Sequence, residues 1–90
     1  MTTLLNVQIN AVEELYVAIQ GYSSSIFPIR NFPEYSDILE GYYDIESDVI
    51  KAYDDFMENP TFEGFSNFDK HERRLRFFVD DVLNPKLKSQ

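Results

Sequence analysis

Between Pro33 and Pro60 the chain divides into two faces with almost no mixing. Tyr35, Ile38, Leu39, Tyr42, Tyr43, Ile45, Val49, Ile50, Tyr53, Phe56 and Met57 fall on one side. Asp37, Glu40, Asp44, Asp48, Lys51, Asp55 and Glu58 fall on the other. Stripes this well separated, with a period near 3.6, predict one amphipathic helix over 33–58. Pro33 is tolerated in a first turn, and Glu34 and Asp37 suit the positive end of the helix dipole. Pro60 ends the segment. Gly41 sits near the acidic side, where it is expected to weaken, kink or split the helix. A helix of this length must bury its apolar face, so the flanking segments have to cover it.

Both flanks read as helices. Leu5, Ile9, Val12, Tyr16 and Ile19 alternate in steps of four and three, and Leu4, Leu15 and Tyr22 widen the stripe. This predicts a helix over 4–22, capped by Thr2 or Thr3 and stopped by Gly21 with Ser23–Ser25. A strand through Leu5, Val7 and Ile9 is the competing reading, but its alternation stops where the helical stripe continues. The third segment has Ser66 as N-cap and Asp69 three residues on. Its buried stripe is Phe68, Leu75, Phe78, Val79, Val82 and Leu83, giving a helix over 67–83 that Asn84-Pro85 ends. Residues 84–90 are expected to fray. Loops bearing Ile26, Phe27, Ile29, Phe32, Phe62 and Phe65 are expected to fold back over the ends. The prediction is an all-α, single-domain, three-helix bundle over 1–90 with a long acidic central helix and aromatic-rich loops.

Composition supports folding despite the net charge of −8, because eight Phe and six Tyr supply ample buriable surface. The absence of Cys removes disulfides, thiolate chemistry and finger-type zinc sites. No apolar run approaches the ~20 residues that span a bilayer. The opening MTTLLNVQINAVEELY lacks a basic leader region, so a cytoplasmic setting is expected.

The charge is concentrated. From Glu34 to Gly64, ten carboxylates face Lys51 alone. Asp37, Glu40, Asp44 and Asp48, and then Asp55 and Glu58, rise along the helix in steps of roughly 4.5–6 Å, with Lys51 in the gap of about 10 Å between the two sets. That spacing is on the scale of phosphates along a nucleic-acid strand. The balance falls to a plain solvated face for a small domain, yet ordinary surfaces intersperse both signs and gain from the pairs, and this row does not. The row repels nucleic acid and anionic lipid and favours a basic protein surface. In charge and size the chain resembles the small acidic proteins, many of them phage-encoded, that block nucleic-acid-binding enzymes by mimicry. The expected function is thus that of a protein-binding inhibitor or adaptor. Two alternatives stand beside it. One is a homodimer or larger homo-oligomer in which the ridge meets an Arg73–Arg76 patch. The other is an immunity- or antitoxin-type partner of a toxic nuclease.

Enzymatic and metal signatures are sparse. His71 is the sole imidazole and lies at the edge of the third apolar stripe, and no Gly-rich phosphate loop or serine elbow is present. DIESDVIKAYDD lacks the central Gly of a calcium loop, and no Glu-x-x-His pair supports a di-metal site. No catalytic residue, cofactor or metal is therefore expected. Two residues break their patterns. Glu46 lies on the apolar face and needs a partner, Arg73, Arg74, Arg76 or a Tyr hydroxyl, unless Gly41 turns it outward. Phe77 points among Lys70, Arg73, Arg74 and Asp81, which is the make-up of a binding hot spot. An aromatic loop covering it is the other reading, and the balance falls that way.

Overall fold

The long two-faced segment forms α2 (Ser36–Glu58), entered through a 3-10 turn at Pro33–Tyr35. In the computed structural model, which describes residues 3–88 and side chains from Leu5 onward, α2 packs with two further rods. They are α1 (Thr3–Ile26) and α3 (Phe62–Phe78). A π-helical stretch (Val79–Leu83) carries α3 onward into α4 (Asn84–Lys88). No strand occurs among the described residues, and the fold is the all-α three-helix bundle. It is long and thin, 51 × 18 × 18 Å, with a radius of gyration of 14.6 Å. A round globule of this length would have about 12 Å.

Val12, Ile19 and Ile26 of α1 are buried against Leu39, Tyr42, Val49, Ala52 and Phe56 of α2 and Phe68, Leu75, Val79 and Leu83 of the third rod. α2 and α3 make the closest pair. α1 joins them through the Tyr16–Tyr53 stack, whose ring centroids lie 3.8 Å apart. Tyr53 in turn meets Phe68 at 6.3 Å, so one aromatic column ties all three rods together.

Several predicted boundaries move. α1 does not stop at Gly21 but runs on to Ile26. Gly21 keeps a negative φ, Ser25 Oγ donates to the Gly21 carbonyl at 3.0 Å, and continuing the helix buries Ile26. Of the two proposed caps, Thr2 lies outside the described residues and Thr3 is already helical. α3 begins at Phe62, not near Ser66, because Thr61 is the N-cap: its Oγ1 accepts from the Gly64 N–H at 2.9 Å. The second loop therefore shrinks to Asn59–Thr61. Gly41 does not split α2, which is one helix over Ser36–Glu58. It faces α3, where an added Cβ would lie 3.3 Å from Phe78 Cζ, so the glycine lets that ring rest against the backbone.

The end of the third rod differs most. Asn84-Pro85 does not terminate it, and the tail predicted to fray from residue 84 is helical through Lys88, with 89–90 outside the described residues. The Asn84 N–H donates to Val79 O, a wide π turn. Pro85 then falls in the first turn of α4, where its missing N–H is tolerated. Leu83 is buried as the stripe predicts, whereas Val82, placed on the same stripe, is 40% exposed.

The aromatic loops cap the bundle only in part. Tyr35 is buried and Ile29 half-buried, whereas Phe27 and Phe32 stay exposed. Arg30 stacks its guanidinium 3.4 Å above the Phe27 ring centroid, which shields that face.

Candidate functional site

Because α2 is unbroken, its acidic positions keep their helical phase, and Asp37, Glu40, Asp44, Asp48, Asp55 and Glu58 are all exposed along it. Lys51 shares their face. Asp48 Oδ2 meets Arg74 Nη1 of α3 at 3.8 Å, a loose contact with both side chains about half-exposed. Such pairs contribute little. None of the other five has an arginine partner among the described residues. At the α2–α3 turn, Glu63 and Asp55 line an open polar cleft that carries the negative surface onto α3.

The arginines expected to serve Glu46 are engaged elsewhere. Arg73 Nε lies 3.0 Å from Asp69 Oδ2 and Arg76 Nη2 lies 3.3 Å from Glu72 Oε1, both one turn apart on α3. Glu46 stays half-buried and takes the Tyr alternative: Tyr42 Oη donates to its Oε2 at 2.8 Å. Burial, that bond and the carboxylate charge hold the Tyr42 phenol far above its ordinary pKa, so it remains a donor.

Glu72 is the residue that sequence reasoning missed. It is 2% exposed, within the buried stripe Phe68–Glu72–Leu75–Val79. Burial, aided by Asp69, pushes its carboxyl pKa up; Arg76 and Arg73 pull it back. Oε1 is close to Arg76 but has no aligned hydrogen bond, so the contact is one of charge alone. The signal was present in the spacing, since the steps of four, three and four pass through position 72. His71 beside it is half-buried, and its Nδ1 has no hydrogen-bond partner among the described residues.

Phe77 is uncovered, at 65% exposure. The expectation of a covering loop fails because Phe62 and Phe65 belong to the first turn of α3, four turns away. There Phe65 packs edge-on to Phe56 at 6.3 Å. Phe77 instead joins Ile45, Phe78, Val82, Arg73 and Arg74 around an open groove of about 440 Å³ between α2 and α3.

Among the described residues no three His, Cys, Asp or Glu side chains gather as a metal-holding group, and no helix is long and apolar enough to cross a membrane. Compared with protein families, curated proteins and solved structures, the chain matches none.

Proposed function

We propose that this chain is a cytoplasmic binding protein, not an enzyme, whose α2 docks on the basic surface of another protein, in the manner of a nucleic-acid mimic. The observation that carries the reading is the row of six exposed carboxylates on one unbroken helix, five of them without an arginine partner among the described residues. Repulsion along such a row costs stability, and a basic partner relieves it. A nucleic-acid-binding protein is the favoured target because its surface already matches a line of negative charge several ångströms apart.

The test is competition. A basic DNA-binding domain is loaded with duplex DNA, and the chain is added at about 0.1 M and at about 1 M salt, where screening shortens to about 3 Å. Release of DNA at the lower salt is expected. Glu40→Lys with Asp44→Lys, which spares the Asp48–Arg74 contact, should weaken that release at least about tenfold, or about 1.4 kcal/mol. A chain that binds none of a panel of such domains, or a variant as potent as the parent, overturns the reading.

A further inference from the structure

Between α1 and the end of the third rod lies a second cleft, of about 200 Å³, lined among the described residues by no side chain of α2. Its floor is apolar. Val79, Leu83 and Leu87 follow one another at steps of four through the π stretch into α4, and Ile26 joins them from α1. Its rim is polar. Tyr22 and Ser25 stand on α1, and Asp80 and Asn84 each follow a floor residue by one position. The π stretch thus builds one wall, and single π turns inside helices recur at functional sites.

The rim is rich in acceptors and holds no base. Ser25 Oγ spends its hydrogen on the Gly21 carbonyl at 3.0 Å, which leaves its lone pairs for a ligand. The Asp80 carboxylate can only accept, and it has no ion-pair partner among the described residues. Asp80 also acts by its charge on the Tyr22 hydroxyl. Burial, then Asp80 and Glu72, hold that phenol above its ordinary pKa, and the two carboxylates outweigh Arg76 there. Arg76 does not line the cleft, and its Nη2 lies 3.3 Å from Glu72 Oε1. The field over the apolar floor is therefore negative.

We propose that this cleft binds an alkylammonium group, with the ammonium at Asp80 and the alkyl stem on Val79, Leu83 and Leu87. An ammonium brings three N–H donors and no acceptor, which matches a rim of carboxylate, hydroxyl and amide oxygens. An anion is repelled there, and a neutral apolar ligand leaves the carboxylate unanswered. The stem has the apolar floor to lie on, as lysine stems do on apolar surface. The volume falls below the roughly 300–1,000 Å³ of pockets for drug-sized ligands, so the chain is a short one. A free alkylamine and the side chain of a lysine share this chemistry. Because α2 takes no part, the site stands whether or not the acidic row docks on a basic protein.

Titration of the whole chain followed by amide NMR tests it, near pH 7 and at about 0.15 M salt. The probes are n-pentylamine, Nα-acetyl-lysine methylamide, 1-pentanol and pentanoate. Pentylamine should shift the amides of Ile26, Val79 and Leu83 saturably, and at least about tenfold more tightly than 1-pentanol or pentanoate. Asp80→Asn should weaken pentylamine at least about tenfold. Asp81→Asn removes the same charge from an exposed neighbour outside the cleft and should leave binding unchanged. Both aspartates are exposed, and unchanged melting of the variants checks their fold. Binding of the lysine derivative as well assigns the site to a lysine side chain; binding of pentylamine alone assigns it to a free amine. If 1-pentanol binds as tightly as pentylamine, the cleft is an apolar crevice and the inference falls. It falls too if Asp81→Asn weakens binding as much as Asp80→Asn, or if pentylamine moves the amides of Asp37–Asp48 equally, since net charge alone would then be the attraction. Failure of both amines to bind overturns it outright.

Discussion

α1 and α2 are nearly equal in length, 24 and 23 residues, and both lay one side against the same core, yet they meet water in opposite ways. α1 carries only two charges, Glu13 and Glu14, and its outer side shows Val7, Val17, Ala18 and small polar residues. α2 turns out a dense row of acid. If a rod of this size needed such a row merely to stay hydrated, α1 would need one too. The acid on α2 is therefore local, which weakens the view of it as a plain solvated face. The inner sides differ as well. α1 contributes a narrow seam, Val12, Ile19 and Ile26, each seven residues from the last, whereas α2 buries a broad strip against α3. The α2–α3 pair is the stable body, and α1 is the thinner attachment.

The sharpest way to break that division is to strike the body. Phe68 is fully buried and adjoins Tyr53 of the aromatic column. Phe68→Ala should cost about 3–5 kcal/mol in urea unfolding, as large-to-small core changes do. A loss under about 1 kcal/mol would show that the α2–α3 pair is not where stability resides.

Glu72 also acts by its charge on Tyr22 of α1, which is held above its usual pKa by burial, Asp80 and Glu72, with Arg76 opposing. Glu72's folded pKa is raised above its unfolded value. Its contribution to stability is thus fully present below the ordinary glutamate range and is lost as pH rises through the raised value. Acidifying from neutrality toward about pH 5 should stabilise the parent. Glu72→Gln should gain less over the same window and melt no lower at neutral pH. Parallel melting curves for parent and variant would remove Glu72 as the cause.

Much of this architecture was legible in the sequence because burial obeys helical period. The two faces of α2, the stripe of α1 and the start of the third stripe all follow from it. What was not legible depends on contacts between segments. Nothing local distinguishes Thr61 from Ser66 as the cap; the choice falls to Thr61 because starting there seats Phe65 on Phe56. The burial of Leu83 was read from the period, but the π turn over Val79–Leu83 and the exposure of Val82 were not, since a π turn is a change of period. On the candidate surface, the row of acid was visible in the sequence, but the groove was not, because Gly41 looked like a weak point of α2 when it is the gap that Phe78 fills.

Two of the three helical glycines, Gly21 and Gly41, give a finer comparison. At Gly21 an added Cβ meets nothing within 4 Å, and φ is negative, so Gly21→Ala should stabilise by about 0.5–1 kcal/mol through helix propensity alone. At Gly41 the same gain must be set against displacing the Phe78 ring from 3.3 Å, so Gly41→Ala should fall short of it. Equal gains in thermal melts would mean that Phe78 yields freely and the groove floor is soft.

Phe77→Ser should have the smallest effect on stability, and for that reason it separates surface from core most cleanly. A loop-covered Phe77 would lose about 3–5 kcal/mol on truncation, in line with other buried aromatics. At 65% exposure, with no aromatic loop within reach, the change should be under about 0.5 kcal/mol. The ring's remaining contacts run along the groove wall, so removing it should leave the aromatic column of Tyr16, Tyr53 and Phe68 untouched. Urea unfolding of the variant beside Phe68→Ala reads both on one scale. Should Phe77→Ser approach the cost of Phe68→Ala, the groove would be part of the core, and α3 would have no free face to set against α2.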